Sequence, residues 1–212
     1  MEIHQTVIRK RGRPPKRPED ALETRELLVR AGLEVLTEKG FAATGIDEVL
    51  KRVGVPKGSF YHYFDSKEAF AQQALEHVYA PRLARYAQAL GDSRFSPRER
   101  VLRYYGELLE HFARQEKPEY HCFIGSLSFE MAELSPAIGA QVDAILQRSA
   151  DILQACLEEA QRAGELPEDE DCANLAGFIA NAWQGVLTRL KVGAGARPLF
   201  DFMTRLQRLL RV

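Results

Sequence analysis

The sequence predicts an all-α fold in which a small N-terminal unit of three helices precedes a larger helical body, with about nine helices in all. Three observations predict this fold. Apolar residues recur at the three- and four-residue spacing of amphipathic helices along most of the 212 residues. Proline, glycine and short polar residues stand at the ends of these segments, where helices begin and stop. No pair of alternating segments that could form a hairpin is present.

The first 20 residues predict a flexible basic arm rather than a helix. Six of the nine residues in 9–17 are Lys or Arg. The prolines Pro14, Pro15 and Pro18 oppose helix formation. The run Arg11-Gly-Arg-Pro14 resembles arms whose arginines reach into a narrow DNA minor groove. A solvated tail has the same composition, so both interpretations stay open.

Two helices follow the arm. The first is predicted from Ala21 to Lys39, and Gly40 ends it because glycine suits the C′ position of a helix. A capping box, formed by Thr44 and Asp47, is predicted to begin the second helix over 46–53. The residues expected on the inner faces of these helices are Leu27, Leu28, Ala31, Val35, Leu36, Ile46, Val49, Leu50 and Val53.

A third, very short helix is predicted after a glycine turn. Gly54 ends the second helix, Pro56 suits the first turn of the next one, and this helix would extend over about 57–64. Two short helices joined by a tight glycine-containing turn form the layout of a helix-turn-helix, whose second helix enters the major groove of DNA. Its aromatic anchor is expected to comprise Phe60, Tyr63 and Phe64.

Seven residues in and around this unit are candidate contacts to double-stranded DNA. The amino terminus of a helix attracts phosphate through its dipole and its free amides, and Gly58 lets the backbone come close to a phosphate. The other side chains can donate to phosphates or base edges. The competing interpretation is a capped surface helix with aromatic packing. The candidates are Thr44, Lys57, Gly58, Ser59, Tyr61, His62 and Lys67.

The rest of the chain is predicted to be helical as well. Asp65-Ser-Lys-Glu68 caps a fourth helix that extends to about Leu90. Further helices are predicted over 97–114, 123–133, 137–163, 172–192 and 198–210. Ser135-Pro136 begins the helix over 137–163, and Asp171 is expected to cap the helix over 172–192. We therefore divide the chain into an arm (1–20), a helix-turn-helix domain (21–67) and a larger helical domain (68–212).

The charge distribution supports this division. Residues 1–67 carry 13 Lys and Arg against 10 Asp and Glu, whereas residues 68–212 carry 16 against 20, so the two parts suit different partners. The three cysteines are widely spaced, the five histidines form no zinc motif, and no nucleotide-binding or hydrolase motif is present. We expect no metal and no cofactor. Without a membrane-length apolar run or a secretory signal, we expect a cytoplasmic location.

The N-terminal third carries a composite pattern in three segments, Ala31-Gly-Leu-Glu-Val-Leu-Thr-Glu-Lys-Gly-Phe41, Thr44-Gly-Ile-Asp-Glu-Val-Leu50 and Val53-Gly-Val-Pro-Lys-Gly-Ser-Phe-Tyr-His-Tyr-Phe-Asp-Ser-Lys-Glu-Ala-Phe70. In these segments the sequence resembles the DNA-binding domain of the TetR family of bacterial regulators. The resemblance covers about residues 22–70. It implies an all-helical regulator with a three-helix DNA-binding head and a body, here 68–212, that binds an effector and dimerises.

The body also carries recognisable segments, His121-Cys-Phe-Ile-Gly125, Glu130-Met-Ala-Glu-Leu134 and Ala182-Trp-Gln-Gly185 followed by Lys191. Here the sequence is similar to the branch of the TetR family that contains the electrophile sensor NemR and the acrylate-responsive repressor AcuR. This resemblance implies sensing roles for Cys122 and Lys191.

Both sensing roles have a physical basis and a structural alternative. The thiolate is the reactive form of cysteine, and a nearby ammonium group lowers the thiol pKa. Lys191 could instead pair with a carboxylate effector. A buried core cysteine and a solvated lysine are the alternatives. Further candidates for the effector site are Tyr105, Phe129 and Trp183, although for Trp183 core packing is the favoured role and a place in the pocket lining the alternative.

These features predict a ligand-responsive repressor that binds a near-palindromic operator as a homodimer and is released by a small electrophilic or acrylate-like effector. Two recognition helices must lie about 34–36 Å apart to reach successive major grooves. The predicted helices 137–163 and 172–192 are candidates for the dimer interface. One rival is an enzyme that processes electrophiles with Cys122, although no base or oxyanion arrangement supports it. The other is a DNA-binding protein without an effector. No membrane partner is expected.

Overall fold

The computed structural model describes residues 18–56, 58, 60–114, 124–125, 135–193 and 195–211. Eight helices have both ends within these residues, and no strand occurs among them, so the all-α prediction is confirmed. Ile124 and Gly125 are also helical, within the predicted helix 123–133, most of which lies outside the described residues. The helices are α1 (Pro18–Ala43), α2 (Ile46–Val53), α3 (Phe60–Tyr63), α4 (Lys67–Leu90), α5 (Pro97–Ala113), α6 (Pro136–Arg162), α7 (Cys172–Lys191) and α8 (Arg197–Leu209).

Helix α1 begins earlier than predicted. Pro18 is its first residue, so the prediction that Pro18 opposes helix and belongs to the arm is wrong. The physical reason is that a proline in the first turn lacks only an amide hydrogen that would have no helical partner there. Glu19 and Asp20 of the predicted arm are helical as well, and residues 1–17 lie outside the described residues. Gly40, at φ 80° and ψ 172°, interrupts the helix where the sequence predicts its end.

The capping box predicted at Thr44 is wrong. The residue that precedes α2 is Gly45, whose position forms no side-chain cap. The Thr44 hydroxyl instead donates to the carbonyl oxygen of Gly40 at 2.6 Å, because the broken end of α1 leaves that carbonyl available. A capping box occurs at the start of α5, where the Ser96 hydroxyl accepts from the Glu99 amide and the Glu99 carboxylate accepts from the Ser96 amide.

Other helix ends agree with the sequence. Gly54 ends α2 in the left-handed conformation, at φ 64° and ψ 28°, which a residue without Cβ adopts at little cost. Ser66, Ser135 and Asp171 cap α4, α6 and α7, each by accepting from the amide three residues further on. The described bounds of α2 and α4 match the prediction, whereas α3 is shorter than predicted.

The helices bury their apolar faces in connected clusters. One cluster joins α1, α2, α3 and the first half of α4 to the beginning of α6, and a second joins α5, α7 and α8 to the rest of α4 and α6. Helix α4 therefore extends from the three-helix head into the body. Leu27, predicted on the inner face of α1, is 47% exposed. No helix within the described ranges has the length and apolar character needed to cross a membrane.

Candidate nucleic-acid interface and candidate effector cavity

Helix α3 is held by a buried aromatic cluster. It has only four residues, too few to be stable without tertiary packing. Phe60, Phe64 and Phe70 are each at most 2% exposed, and their ring centroids lie 4.9–5.3 Å apart. Phe60 and Phe64 are thus buried as the sequence predicts, while Tyr63 is half-buried. Phe70 from α4 completes the cluster, so the position of α3 depends on α4.

The outward face of α3 presents polar side chains. Tyr61 is 59% exposed, and the neighbouring His62 is exposed as well. Gly58 is exposed, and a Cβ atom added there would meet nothing within 4 Å, so its backbone is accessible to a phosphate. Lys57 and Ser59 lie outside the described residues.

Two other predicted DNA contacts lie behind this face. Thr44 is 4% exposed, and its hydroxyl is bonded to Gly40. The Lys67 ammonium group donates to the carbonyl oxygen of Phe41 at 2.5 Å and lies 4.3 Å from the centroid of its ring. Both side chains hold the connection between α1 and α2, so they position the head, and their contact with DNA stays a prediction.

The structure adds one cation that the sequence reasoning missed. The Arg25 guanidinium group lies 5.9 Å from the centroid of Phe64, beside the buried aromatic cluster, and its side chain is exposed. Its position in α1 carries no motif that would have identified it. Exposed arginines next to a recognition helix suit contacts to the phosphate backbone.

A network of ion pairs fixes α2 against α1. The Arg52 guanidinium group donates to Glu38 at 2.5 Å and to Glu34 at 3.3 Å, and Lys39 pairs with Glu48 at 2.7 Å. Each pair joins residues of α1 to residues of α2, so the network constrains the angle between the two helices. Because these side chains are partly exposed, their contribution weakens in salt.

A small cavity of about 110 Å³, partly open to solvent, lies in the body. Four helices and the segment at Ile124 converge on it. It has aromatic walls and a few polar groups, which is the usual composition of a small-molecule site. Its lining residues are Tyr79, Arg82, Leu83, Tyr86, Tyr104, Tyr105, Ile124, Ile145, Leu146, Ser149, Trp183, Gln184 and Leu187.

The polar groups of the cavity are ordered by specific contacts. The hydroxyls of Tyr86 and Tyr105 share a hydrogen bond at 3.2 Å, and burial raises the pKa of both phenols, so both stay neutral. The Tyr79 hydroxyl accepts from the amide of Ile124 at 3.1 Å. Arg82 is exposed and lies 5.3 Å from the Tyr79 ring centroid, which gives the cavity one cation.

The structure brings together two of the five predicted effector residues. Tyr105 and Trp183 both line the cavity, with ring centroids 5.3 Å apart. Lys191 is exposed in the last turn of α7 and is not among the lining residues. Cys122 and Phe129 lie outside the described residues.

Several cavity residues were missed by sequence reasoning. Tyr79, Arg82 and Tyr86 recur every three or four residues on one face of α4, and this spacing was the signal that could have identified them. Ser149 lines the cavity together with Ile145 and Leu146, and Gln184 together with Trp183 and Leu187. An apolar stripe does not single out the polar residue beside it, so the sequence did not identify these two.

The two described cysteines are buried rather than poised for reaction. Burial raises the pKa of Cys156 to about 11, and its thiol donates to the carbonyl oxygen of Pro97 at 3.3 Å. Burial also raises the pKa of Cys172. Neither thiol is a good source of thiolate near neutral pH.

A larger, open groove of about 410 Å³ separates α7 from α8. Its floor is apolar, Arg189 and Arg205 lie at its edge, and Phe178 in its lining is 53% exposed. The sequence had indicated 137–163, now α6, together with 172–192 as the interface. The buried apolar residues of α6 belong to the internal clusters instead, because α4, α5 and α7 all pack against it. Among the described residues of the body, the exposed large apolar side chains are Phe178 on α7, Val192 just after it and Phe200 on α8.

Comparison with known proteins agrees with this architecture. Residues 28–74 match the family described as bacterial regulatory proteins, tetR family, and residues 97–206 match a tetracyclin repressor-like C-terminal domain. The chain is 37% identical over 194 residues to the transcriptional regulator AcuR of Cereibacter sphaeroides, covering 91% of this chain and 87% of AcuR. It is 31% identical over 180 residues to the transcriptional repressor DhaR of Mycobacterium sp. (strain GP1), covering 85% and 88% of the two chains.

The repressor NemR of Escherichia coli is similar in both sequence and structure. It is 30% identical over 188 residues, which cover 89% of this chain and 94% of NemR. The crystal structure of its reduced form superposes with a TM-score of 0.81, covering 89% of this chain and 97% of the NemR chain.

Proposed function

Because the chain belongs to the TetR family of bacterial regulatory proteins, in the branch that includes NemR and AcuR, we propose that it is a repressor that a small effector releases from its operator. The operator is near-palindromic and the protein binds it as a homodimer. One observation carries the proposal: the body cavity lies against α4, the helix whose first turns pack on the recognition helix α3. An effector in that cavity can therefore act on the DNA-binding head.

The DNA contacts are assigned to the exposed side of the head, residues 21–67. Tyr61 and His62 face outward on the anchored helix α3, Gly58 is exposed just before it, and Lys57 and Ser59 belong to the same segment by sequence. The basic arm, 1–20, would add contacts in the minor groove. Substituting Tyr61 or His62 by Ala should weaken operator binding without changing the melting temperature, since exposed substitutions have little effect on stability.

Homodimerisation is assigned to the groove between α7 and α8. An exposed phenylalanine in an apolar floor is typical of a surface that a partner covers. A second copy is the partner that the function requires, because a palindrome needs two recognition helices. Phe178→Glu should convert the dimer into a monomer in light scattering and abolish operator binding. Leu27→Glu, at an exposed apolar residue of the head, is the control for oligomeric state and should leave a dimer. A dimeric Phe178→Glu protein would contradict this assignment.

The effector site is assigned to the cavity at Tyr105 and Trp183. A volume of about 110 Å³ suits a molecule of only a few heavy atoms. Neutral tyrosine hydroxyls and Ser149 offer hydrogen bonds, and Arg82 offers a positive charge to a carboxylate. An acrylate-like acid matches these groups. A neutral electrophile would use the hydroxyls and the thiol of Cys122, two residues from Ile124 in the lining.

Coupling to DNA is assigned to α4 and its contacts. The Tyr79–Ile124 hydrogen bond joins α4 to the segment that carries Cys122. Pro81 lies beside the cavity and cannot donate the helical hydrogen bond at its position, which makes α4 easier to bend there. The Ser135 hydroxyl and the Glu68 carboxylate join α6 to the first turn of α4. Displacement of α4 would therefore move α3 away from the geometry that fits the groove.

The deciding experiment is a mobility shift on operator DNA with acrylate or a quinone, using wild type, Arg82→Gln and Cys122→Ser. Noncovalent recognition of an acid predicts that Arg82→Gln loses the acrylate response and Cys122→Ser keeps it. Covalent sensing predicts that Cys122→Ser loses the quinone response and Arg82→Gln keeps it. Arg148→Gln and Cys172→Ser are matched controls outside the cavity. By linkage, DNA must weaken effector binding by the factor by which effector weakens DNA binding. Independent binding of the two ligands would contradict the mechanism.

The role of Lys191 is proposed separately. Its position one turn beyond Leu187 places it near the end of the cavity wall formed by α7, where it could pair with a thiolate or an acid. Lys191→Gln should then reduce the effector response while operator affinity without effector is unchanged.

No observation supports the enzyme alternative. The similar proteins named above are transcriptional regulators. An effector-independent DNA-binding protein is disfavoured by the cavity. The amount of quinone that the purified protein consumes distinguishes a sensor from an enzyme. A sensor consumes one equivalent and stops, whereas an enzyme continues to turn the quinone over.

A further inference from the structure

A third concavity lies at the end of α4 that is remote from the recognition helix. It has a volume of about 380 Å³ and is bounded by the last turns of α4, the following loop and the first half of α5. Helix α4 has 24 residues, so at about 1.5 Å per residue its two ends are roughly 36 Å apart. Only Tyr104 is shared between its lining and that of the effector cavity.

Arginine dominates the lining, and we call this concavity the arginine groove. Four guanidinium groups, from Arg85, Arg94, Arg100 and Arg103, face two carboxylates, from Asp92 and Glu107. The surface is mainly polar, which does not suit an apolar effector.

One guanidinium group is fixed in place before any ligand arrives. Arg100 donates to the carbonyl oxygens of Phe95 at 2.9 Å and Leu90 at 3.2 Å, and to Glu159 at 2.7 Å. Its side chain is only 10% exposed. An arginine that is already ordered loses less conformational entropy when it binds an anion.

The other guanidinium groups leave positive charge that is only partly neutralised. Arg103 and Arg94 lie 4.0 Å and 5.8 Å from the centroid of the same Phe95 ring, which concentrates two like charges. Arg94 is paired with Asp92 at 2.6 Å, but the distance from Arg103 to Glu107 is 3.5 Å. Arg85 forms no ion pair within the part of the chain that the structure describes.

We propose that the arginine groove binds a small multivalent phosphate anion, either a free polyphosphate or a phosphate ester. Guanidinium groups match phosphate oxygens with two parallel hydrogen bonds, and several arginines around one groove suit an anion with more than one negative charge. Such an anion would relieve the repulsion between Arg94 and Arg103 at Phe95. The volume leaves room for an organic group beside the phosphate.

The test is isothermal titration of the full-length protein with inorganic pyrophosphate at a physiological ionic strength of about 0.15 M. We expect saturable binding with a Kd of about 1 mM or lower. The double variant Arg85→Gln/Arg103→Gln should bind at least about tenfold more weakly, since a charged hydrogen bond is worth more than about 1.4 kcal/mol. Glu107→Gln should bind more tightly, because it removes a competing carboxylate from Arg103.

The control is Arg114→Gln, which removes one positive charge just beyond α5, outside the groove. It is separated from Arg103 by about three helical turns, roughly 16 Å, which exceeds the Debye length at physiological salt. Its Kd should equal that of wild type. If adenosine monophosphate binds more tightly than pyrophosphate, the ligand is a phosphate ester. If pyrophosphate binds more tightly, the ligand is a free polyphosphate. Absence of saturable binding, equal weakening in Arg114→Gln, or citrate binding as tightly as pyrophosphate would overturn the proposal.

Discussion

Gly32 provides the sharpest test of how the head is packed, because two physical effects predict opposite signs for Gly32→Ala. The residue lies in the middle of α1, where glycine is less favourable than alanine by up to about 1 kcal/mol. Helix propensity alone therefore predicts that the substitution stabilises the protein. The structure predicts the opposite, since the ring of Phe70 from α4 occupies the space beside this glycine.

The magnitude follows from the space available. A Cβ atom at position 32 would lie 2.5 Å from Cε1 of Phe70 and closer still to Cζ. Ordinary carbon contacts are about 3.5–4.0 Å. The Phe70 ring is 1% exposed and packs on Phe60 and Phe64, so it cannot move without displacing them. Overpacking costs about 1–3 kcal/mol, and a Cβ atom this close to a buried ring places the cost at about 2–3 kcal/mol. Subtracting a propensity gain of about 1 kcal/mol leaves a net destabilisation of about 1–2 kcal/mol.

The assay combines thermal unfolding with operator binding. A loss of about 1–2 kcal/mol lowers the melting temperature by about 2–8 °C for a chain of this length. Because Phe70 supports α3 through Phe60, operator affinity should fall as well. Gly106→Ala is the matched control: Gly106 lies inside α5, and its added Cβ would meet nothing within 4 Å. This variant should be as stable as wild type or more stable.

A double-mutant cycle identifies the contact. Phe70→Leu shortens the obstructing side chain, so Gly32→Ala should be less destabilising in that background than in wild type. If Gly32→Ala is as stable as Gly106→Ala, or if the two substitutions at positions 32 and 70 are additive, the packing argument is refuted.

Three further predictions concern other contacts. The thiol of Cys156, with its pKa raised to about 11, should be alkylated at pH 7.5 about 100-fold more slowly than a thiol of pKa 9, as peptide mass spectrometry of the native protein can measure; equal rates would contradict its burial. Ser135→Ala should lower the free energy of unfolding by about 1 kcal/mol or more, because it removes both the cap of α6 and the contact with Glu68, and urea titration with no loss would contradict this role. Arg52→Gln should lower the melting temperature of the protein at low salt but not in 1 M NaCl, because high salt screens the ion pairs of Arg52 with Glu38 and Glu34. A lower melting temperature that persists in high salt would contradict an electrostatic role.

Sequence and structure agree best at the ends of helices. Ser66, Ser135, Asp171 and Gly54 were all recognisable in the sequence because a cap is formed by residues no more than about four positions apart. Among the predicted caps, Thr44 was an exception. It had the right residue type, but the break at Gly40 left a carbonyl oxygen that accepts its hydroxyl instead.

The candidate sites also differ in how far apart their residues lie in the sequence. The aromatic anchor of α3 and the polar set around it lie within ten consecutive residues, so one local pattern identified them. The effector cavity joins α4, α5, α6 and α7, and only the crossing of these helices shows that Tyr79, Arg82 and Tyr86 face Tyr105 and Trp183. An apolar stripe indicates that a helix packs, but not against which neighbour.

By itself, the sequence determined that the chain is all-helical, where most helices begin and end, and that its head is a helix-turn-helix, because hydrophobic period and capping depend on nearby residues. The tertiary structure alone decided that the ring of Phe70 packs against Gly32 and that a cavity lies against α4. It also decided that the apolar residues of α6 are buried within the body, whereas α7 and α8 leave an apolar groove. These features depend on distances between residues far apart in the chain, and helix packing sets those distances.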